Sequence, residues 1–194
     1  MVRGGDWGAG AGSGRMMGTS CLLLVPGNRA ERFDKALAAG ADGVIIDLEE
    51  AVAPADKLSA REAVRQWLDP RHPVLLRVNA ADTPWFEDDL ALCALPGVEA
   101  VVLPKAERVE TIARLVSAGA RAVLPLIESG AGLAGLNPIA RAPAVQCLIF
   151  GSIDLQVDLG MRDAMEDELL VFRLQIVLAS RLAGLPPPID GVTT

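Results

Sequence analysis

Two carboxylates that follow apolar runs are the residues of this chain best suited to chemistry. Glu128 ends the run that begins at Ala122, and Asp154 follows a second run that begins at Cys147. Such runs are typical of strands buried on both faces of a parallel sheet, so both acids are predicted at strand carboxyl ends. Hard cations prefer oxygen ligands, and Mg²⁺ takes only one or two carboxylates from protein. The two acids therefore predict a site for Mg²⁺ or Mn²⁺, although each acid alone is equally compatible with capping the following helix.

Charged or polar side chains also lie at the ends of the other predicted strands. They are Arg29 beyond the first strand, Asp47 and Glu49 at the end of the second, Arg77 and Asn79 at the end of the third, and Lys105 beyond the fourth. Because side chains alternate between the two faces of a strand, Asp47 and Glu49 share a face, and so do Arg77 and Asn79. One shared site explains so many charged strand ends better than separate surface ion pairs do.

The spacing of apolar residues predicts alternating strands and helices. The predicted strands are Cys21–Val25, Val44–Leu48, Val74–Val78, Ala100–Leu103, Ala122–Ile127 and Cys147–Phe150. Helical spacing predicts helices over 60–67 and 109–116, and the longest helix is predicted over 166–182. An Ala-Gly-Ala sequence precedes both the second and the fifth strand, which indicates a repeated βα unit. Such repeats, without a glycine-rich nucleotide loop, favour a (β/α) barrel over a doubly wound sheet, with its active site at the carboxyl ends of the strands.

Composition and charge limit the class of protein. The chain has 194 residues, of which 51% are hydrophobic, and a formal net charge of -7. An acidic chain without a cluster of Lys and Arg is a poor match for nucleic acid or an anionic membrane, and no apolar run approaches the ~18 residues of a membrane span. We expect one α/β domain over residues 19–194 that binds neither nucleic acid nor membrane. A disordered glycine-rich segment is predicted over residues 1–18.

The cysteines and the single histidine exclude several kinds of site. Cys21, Cys93 and Cys147 lack metal-site spacing, and Cys21 and Cys147 lie inside apolar runs. We expect reduced thiols in the core of a cytoplasmic protein. His72 precedes the third strand and is predicted at the surface, away from the carboxyl ends. Histidine-based zinc sites and Ser-His-Asp hydrolysis are thereby excluded.

Several runs of the chain, taken in order, resemble one known family. They are LLLVPGNRAERFDKALAAGADGVIIDLEEAV, VLLRVNA, VVLPKAE, VLPLIES and FGSIDLQVDLG. These runs resemble the HpcH/HpaI aldolase and citrate lyase family, especially its citrate lyase beta subunit-like branch, over residues 20–194. The resemblance implies an α/β fold, a (β/α)8 TIM barrel of the phosphoenolpyruvate/pyruvate type. It also implies Mg²⁺-dependent cleavage or formation of carbon-carbon bonds in coenzyme A thioesters or 2-keto acids.

The resemblance also implies roles for individual residues. Carried over by motif, Glu128 and Asp154 are the metal ligands, Arg77 binds substrate, and Asp47 and Glu49 support the site. The chain departs from the family where Ser20-Cys21 replaces the usual Arg-Ser, and where Glu50 replaces the usual aspartate. The longer side chain at position 50 puts fine positioning of the acidic run in question.

Coenzyme A would enter this chemistry as part of the substrate. Arg29 and Lys35 lie near the loop after the first strand and are candidates for binding its phosphates. Ordinary solvated helix charge is an equally good explanation of both residues.

Three functions fit the residues. The first is a Mg²⁺-dependent lyase of a β-hydroxyacyl-CoA such as citryl-, malyl- or citramalyl-CoA, which yields an acetyl-CoA-type thioester and a 2-keto acid. The second is a lyase of free 2-keto acids, which acts through the metal or through a Schiff base on Lys105. The third is a non-catalytic remnant or complex subunit. The residues do not identify the general base.

The end of the sequence resembles the seventh strand of the family's barrel. Residues 187–194 correspond to that strand, so the eighth strand and the last helix are absent from this sequence. An open sheet exposes unpaired strand edges that recruit other strands. We therefore expect this chain alone to self-associate as a homo-oligomer or an aggregate and to have little activity.

Overall fold

The fold is organised around a parallel sheet of six strands. The computed structural model describes residues 21–162 and 165–191, so the segment 1–18, predicted to be disordered, lies outside the described residues. The strands are β1 (Leu22–Pro26), β2 (Gly43–Asp47), β3 (Val74–Arg77), β4 (Val98–Leu103), β5 (Val123–Ile127) and β6 (Ile149–Phe150). Their order in the sheet is their order in the chain, and every neighbouring pair is parallel. The sheet forms a half-barrel.

Helices connect the strands. They are α1 (Phe33–Leu37), α2 (Lys57–Trp67), α3 (Phe86–Asp89), α4 (Val109–Ser117), α5 (Gly130–Ala134), α6 (Leu136–Ala140), α7 (Ser152–Asp158) and α8 (Glu166–Ala183). The three helices predicted from apolar spacing are confirmed as α2, α4 and α8. Gly119 follows α4 with a φ of 97°, a left-handed conformation that favours glycine at the end of a helix.

The two faces of the sheet bury different sets of side chains. One face packs against the helices in the main core, with Ile46, Leu76 and Val123 fully buried there. The opposite, inner face carries a second cluster of nine buried residues. They are Ile45, Leu75, Ala100, Val102, Ala122, Leu124, Leu126, Cys147 and Ile149. Burial on both faces explains why the strands read as continuous apolar runs.

The inner face leads directly to the charged residues. Asp47 lies two residues beyond Ile45, Arg77 two residues beyond Leu75, and Glu128 two residues beyond Leu126. Because strand side chains repeat with a period of two, each charged residue continues an inner apolar row at its carboxyl end. The predicted strand positions therefore put three charged side chains at the same end of the half-barrel.

Every end of the six observed strands lies within two residues of the predicted end, and β6 is the shortest strand. The prediction gave the sixth strand four residues, whereas β6 has two. Upstream of it, Val145 forms only an isolated bridge with Val123. Ile189, within the segment 187–194 that resembles a seventh strand, forms a parallel bridge with Ile149, and residues 192–194 lie outside the described residues.

The prediction that Cys21 is a core thiol is wrong. Cys21 is exposed because it precedes β1, which pairs only with β2 among the described strands. Cys93 and Cys147 are buried, and burial raises their thiol pKa values to about 12 and about 11. All three thiols are free within the described residues. None of the helices in the described ranges has the length and apolar character of a membrane span.

Candidate functional site

Asp47 and Arg77 form a buried ion pair at the carboxyl ends of β2 and β3. The strand register places them side by side. Arg77 donates from Nε and Nη2 to the two oxygens of Asp47, over 2.6 and 2.8 Å. Asp47 also accepts the backbone N–H groups of Glu49 and Ala51, each at 2.9 Å. Burial disfavours the charge of Arg77, but the hydrogen bonds and charge of Asp47 outweigh it, so the pKa of Arg77 is raised.

The third guanidinium nitrogen of Arg77 faces the acidic run after β2. Nη1 lies 3.2 Å from a carboxylate oxygen of Glu49 and 3.9 Å from one of Glu50. Burial raises the pKa of Glu49 to about 7, and the positive charge of Arg77 only partly opposes that shift. Nη1 is therefore the nitrogen of Arg77 that Asp47 leaves open to other partners.

Lys57 binds the backbone of the acidic run Glu49–Glu50, a role that was not predicted from the sequence. Its ammonium group donates to the carbonyls of Leu48 and Glu49, each at 2.7 Å, and to Oδ1 of Asn79 at 2.6 Å. Burial lowers the pKa of Lys57, while nearby acids oppose the shift. Three short hydrogen bonds fix the backbone of the loop that carries Glu49.

A second buried ion pair supports Asn79. Asp89 accepts both the backbone N–H and the side-chain amide of Asn79, at 2.8 and 2.6 Å. Arg61 of α2 donates to the other oxygen of Asp89 at 2.9 Å. Each of these polar groups is satisfied, so the network holds its geometry at the base of the site.

Glu128 lies at the end of β5 with little to balance its charge. It is 5% exposed, and its carboxylate accepts the backbone N–H of Lys105 at 2.8 Å. Burial raises the pKa of Glu128 to about 8; the Lys105 hydrogen bond opposes the shift, and the negative charge of Asp154 adds to it. A buried acid in this state favours a proton or a cation beside it.

Gly151 brings the loop after β6 against Glu128. A Cβ atom at position 151 would lie 2.5 Å from the Cβ of Glu128 and 2.7 Å from its Oε2, so only glycine allows this approach. Gly151 precedes α7, and Asp154 lies half-buried in the first turn of that helix. The two acids therefore belong to segments in direct contact.

Helix capping does not account for Glu128. The side chain of Ser129 caps α5 by accepting the backbone N–H of Gly132. The residue before α7 is Gly151, which has no side-chain oxygen to offer. The carboxylate of Glu128 points instead to Lys105 N–H and the glycine loop.

Glu128 and Asp154 suit a divalent cation that takes few protein ligands. Within the described ranges, no group of three or more His, Cys, Asp or Glu side chains forms a metal cage. Mg²⁺ needs no such cage, because water and substrate oxygens complete its six ligands. Burial and the negative charge of Asp154 both raise the pKa of Glu128, so positive charge is favoured at this place.

Three of the predicted residues stand apart from this cluster. Arg29 is exposed and pairs with Glu31 at 2.7 Å, and Lys35 is exposed on α1. The side chain of Lys105 is exposed and forms no ion pair within the part of the chain that the structure describes. The backbone N–H of Lys105, rather than its side chain, contacts Glu128. His72 is exposed before β3, as predicted.

Fold and site together define a class, the parallel α/β half-barrels with a charged site at the carboxyl ends of their strands. The sequence model of the HpcH/HpaI aldolase/citrate lyase family matches residues 20–193. The chain therefore belongs to this family, which confirms the resemblance seen in the sequence.

Named relatives and solved structures agree with this membership. A citrate lyase subunit beta-like protein from Deinococcus radiodurans is 35% identical over 84% of this chain, and a (3S)-malyl-CoA thioesterase from Cereibacter sphaeroides is 32% identical over 88% of it. The chain spans 62% of the length of each. A citrate lyase beta subunit from Mycobacterium tuberculosis, solved with oxaloacetate and magnesium, superposes with a TM-score of 0.80 at 35% identity, covering 92% of this chain and 80% of that one.

Proposed function

We propose that this chain carries the metal site and substrate arginine of a Mg²⁺-dependent carbon-carbon lyase acting on a β-hydroxyacyl-CoA such as malyl-, citramalyl- or citryl-CoA. The observation that carries the proposal is the pair of acids Glu128 and Asp154, which lie on segments in contact and interact electrostatically with each other and with Arg77. The names of relatives point the same way. An L-malyl-CoA/beta-methylmalyl-CoA lyase is 35% identical over 73% of this chain, of which the chain spans 51%.

The reaction breaks the bond between the hydroxyl-bearing carbon and the carbon next to the thioester. The hydroxyl loses its proton and becomes the keto oxygen, and the electrons of the broken bond form a thioester enolate. A proton then converts the enolate into an acetyl-CoA-type thioester. Negative charge on oxygen is the main cost of this step, and a divalent ion held by Glu128 and Asp154 would supply Lewis-acid stabilisation there.

Arg77 is the substrate-binding residue in this proposal. Asp47 holds Nε and Nη2 of Arg77 and fixes the plane of the guanidinium, so Nη1 is the nitrogen that would bind a substrate carboxylate or carbonyl. Glu49, now 3.2 Å from Nη1, occupies that position and would share or yield it when substrate binds. The role of Asp47 is to orient Arg77, and the role of Glu49 is to keep Nη1 turned toward the site.

The coenzyme A part of the substrate needs contacts outside the acidic cluster. Arg29 and Lys35 are exposed cations near the end of β1, and we assign the phosphates to them. A related protein, CitE from Mycobacterium tuberculosis, was solved in complex with magnesium, acetoacetate and coenzyme A at a TM-score of 0.80 and 35% identity; the match covers 92% of this chain and 67% of that one.

The proposal also includes the type of barrel to which the half-barrel belongs. We assign the half-barrel to a (β/α)8 TIM barrel of the phosphoenolpyruvate/pyruvate type, of which the described sheet supplies six strands. We also place the protein in the cytoplasm, where buried free thiols such as Cys93 stay reduced.

Thioester hydrolysis is the second candidate function, because a named relative is a malyl-CoA thioesterase. It needs the same metal-bound acyl-CoA but cleaves the carbon-sulfur bond. A Schiff-base lyase on free 2-keto acids is less well supported, since Lys105 is exposed and lacks the burial that activates such lysines.

One assay separates these functions. The protein is incubated with malyl-, citramalyl- and citryl-CoA, in Mg²⁺ or in EDTA, and acetyl-CoA, 2-keto acid and free thiol are measured separately. We expect acetyl-CoA and keto acid in equal amounts with Mg²⁺ and neither in EDTA. Free thiol with the intact hydroxy acid would identify a thioesterase. Turnover that survives EDTA would contradict the metal-dependent proposal.

Arg77→Lys tests the substrate role of the guanidinium. A lysine keeps the charge but not the planar fork, so we expect kcat/KM to fall by about 10²-fold. Arg71→Lys is the matched control, because Arg71 pairs with Asp69 at an exposed position before β3. Activity of Arg77→Lys within about twofold of the parent would make Arg77 a structural residue rather than a substrate ligand.

A further inference from the structure

Helix α8 is apolar on two opposite faces. Leu169, Ile176 and Ala179 are buried on the face toward the core. Six large apolar residues on the other face are exposed to between 47% and 58%. They are Leu170, Val171, Leu174, Val177, Leu178 and Leu182. At 100° per residue these six centre opposite the buried face, and a helix that is apolar all round is normally covered by protein on both sides.

From Asp167 to Arg181 the exposed face of α8 reads the same from both ends. Around Leu174 as the centre, Leu170 corresponds to Leu178 and Val171 corresponds to Val177, whereas Leu182 lies beyond this stretch and has Glu166 as its counterpart. Asp167 and Arg181, both exposed, lie at equal distances on either side of the same centre and carry opposite charges. An antiparallel copy of this helix would set leucine against leucine, valine against valine, and each aspartate against an arginine.

We propose that the exposed face of α8 packs against the same face of a second copy of this chain, antiparallel, with the two-fold axis at Leu174. The symmetry of the face selects this occupant. A two-fold contact uses one patch twice, so the patch must be complementary to itself, as the stretch from Asp167 to Arg181 is in both apolar residues and charge. This contact is separate from the sheet edges and from the proposed active site.

Sedimentation equilibrium of the 194-residue chain tests the contact. Leu174→Glu puts two carboxylates at the two-fold axis and is expected to raise the dimer dissociation constant at least tenfold. Leu58→Glu is the matched control, because Leu58 of α2 is 74% exposed and lies outside α8; this variant is expected to dimerise like the parent. A monomeric parent, or equal dissociation constants for the two variants, would overturn the proposal.

Disulfide crosslinking tests the direction of the helices. In a Cys21→Ser background, which removes the exposed thiol, an oxidised mixture of Leu170→Cys and Leu178→Cys chains is expected to give a covalent heterodimer. Leu174→Cys is expected to crosslink with itself, and Leu58→Cys is expected to remain uncrosslinked. Self-crosslinking of Leu170→Cys without the mixed product would show a parallel contact and overturn the antiparallel one.

Discussion

Buried charge is neutralised on one side of the candidate site and left negative on the other. On β2 and β3, Asp47 and Arg77 neutralise each other through two hydrogen bonds, and we call them the paired half. After β5 and β6, Glu128 and Asp154 share a negative field, and we call them the acidic half. The main protein contact of Glu128 there is one backbone N–H. Glu128 and Arg77 are buried to a similar degree, at 5% and 8% exposure.

The pKa values record this difference. Asp47 raises the pKa of Arg77 above its usual range, which favours the charged form of the arginine. Burial raises the pKa of Glu128 to about 8, which disfavours the charged form of the carboxyl. The charges of the paired half are neutralised within the folded protein, whereas the acidic half is the half that we propose to bind a cation.

Breaking the paired half is expected to have the largest effect. Asp47→Asn leaves the buried charge of Arg77 without its partner, and the free energy of unfolding should fall by about 3–5 kcal/mol. Urea denaturation monitored by circular dichroism measures the change. Asp69→Asn is the control, since Asp69 pairs with exposed Arg71 and its replacement should lower the free energy of unfolding far less. Equal losses of unfolding free energy in the two variants would mean that the buried Asp47–Arg77 pair stabilises the protein no more than an exposed pair does.

Removing the charge of Glu128 should abolish the stabilisation of the protein by Mg²⁺. Saturating Mg²⁺ stabilises a protein that binds it in the folded state, by about 2.7 kcal/mol at a concentration 100 times the dissociation constant. Glu128→Gln should show no such stabilisation in a thermal melt, without loss of stability in EDTA. Glu110→Gln, at an exposed position of α4, should respond like the parent. A Mg²⁺-induced shift preserved in Glu128→Gln would remove Glu128 from the metal site.

Glu49, which lies between the paired half and the acidic half, should have a smaller effect on the free energy of unfolding, and this effect should depend on pH. Glu49 has a pKa of about 7 in the folded protein against 4.5 ordinarily, so the folded state holds a proton that the unfolded state releases between those values. The contribution of Glu49 to stability is therefore present below pH 4.5 and is lost as the pH rises through 7.

Glu49→Gln should remove this dependence. Measured in EDTA, its stability relative to the parent should rise by about 1–2 kcal/mol from pH 4.5 to pH 8, less than the full shift implies because Glu49 is partly open to water. A difference that stays flat with pH would show that Glu49 is ionised throughout.

The sequence predicts the framework of the site because strand ends follow from simple patterns. Leu126 and Glu128 are two residues apart, so both lie on the inner face. Because parallel strands put their carboxyl ends together, the place of Glu128 follows from the apolar run alone. The curvature into a half-barrel follows from repeated βα units. Family membership adds expected roles that the geometry alone does not assign.

Contacts that depend on loops were not predictable from patterns. Lys57 looks like an ordinary first residue of an amphipathic helix, and its burial results from the carbonyls of Leu48 and Glu49, which turn toward it only in the folded loop. Cys21 looked buried because an apolar run does not show whether its strand lies at the edge of the sheet. The engagement of Arg77 with Asp47 depends on strand register, which apolar spacing leaves open.

The strand order of the sheet sets the order in which parts of the site can assemble during translation. Because neighbours in the sheet are also neighbours in the chain, each new strand leaves the ribosome with its pairing partner already made. Asp47, Lys57, Arg77 and Asp89 are all present before β5 has been translated. The charge-neutral part of the site is therefore expected to assemble first, and the repulsive carboxylates are added to a surface that is already in place.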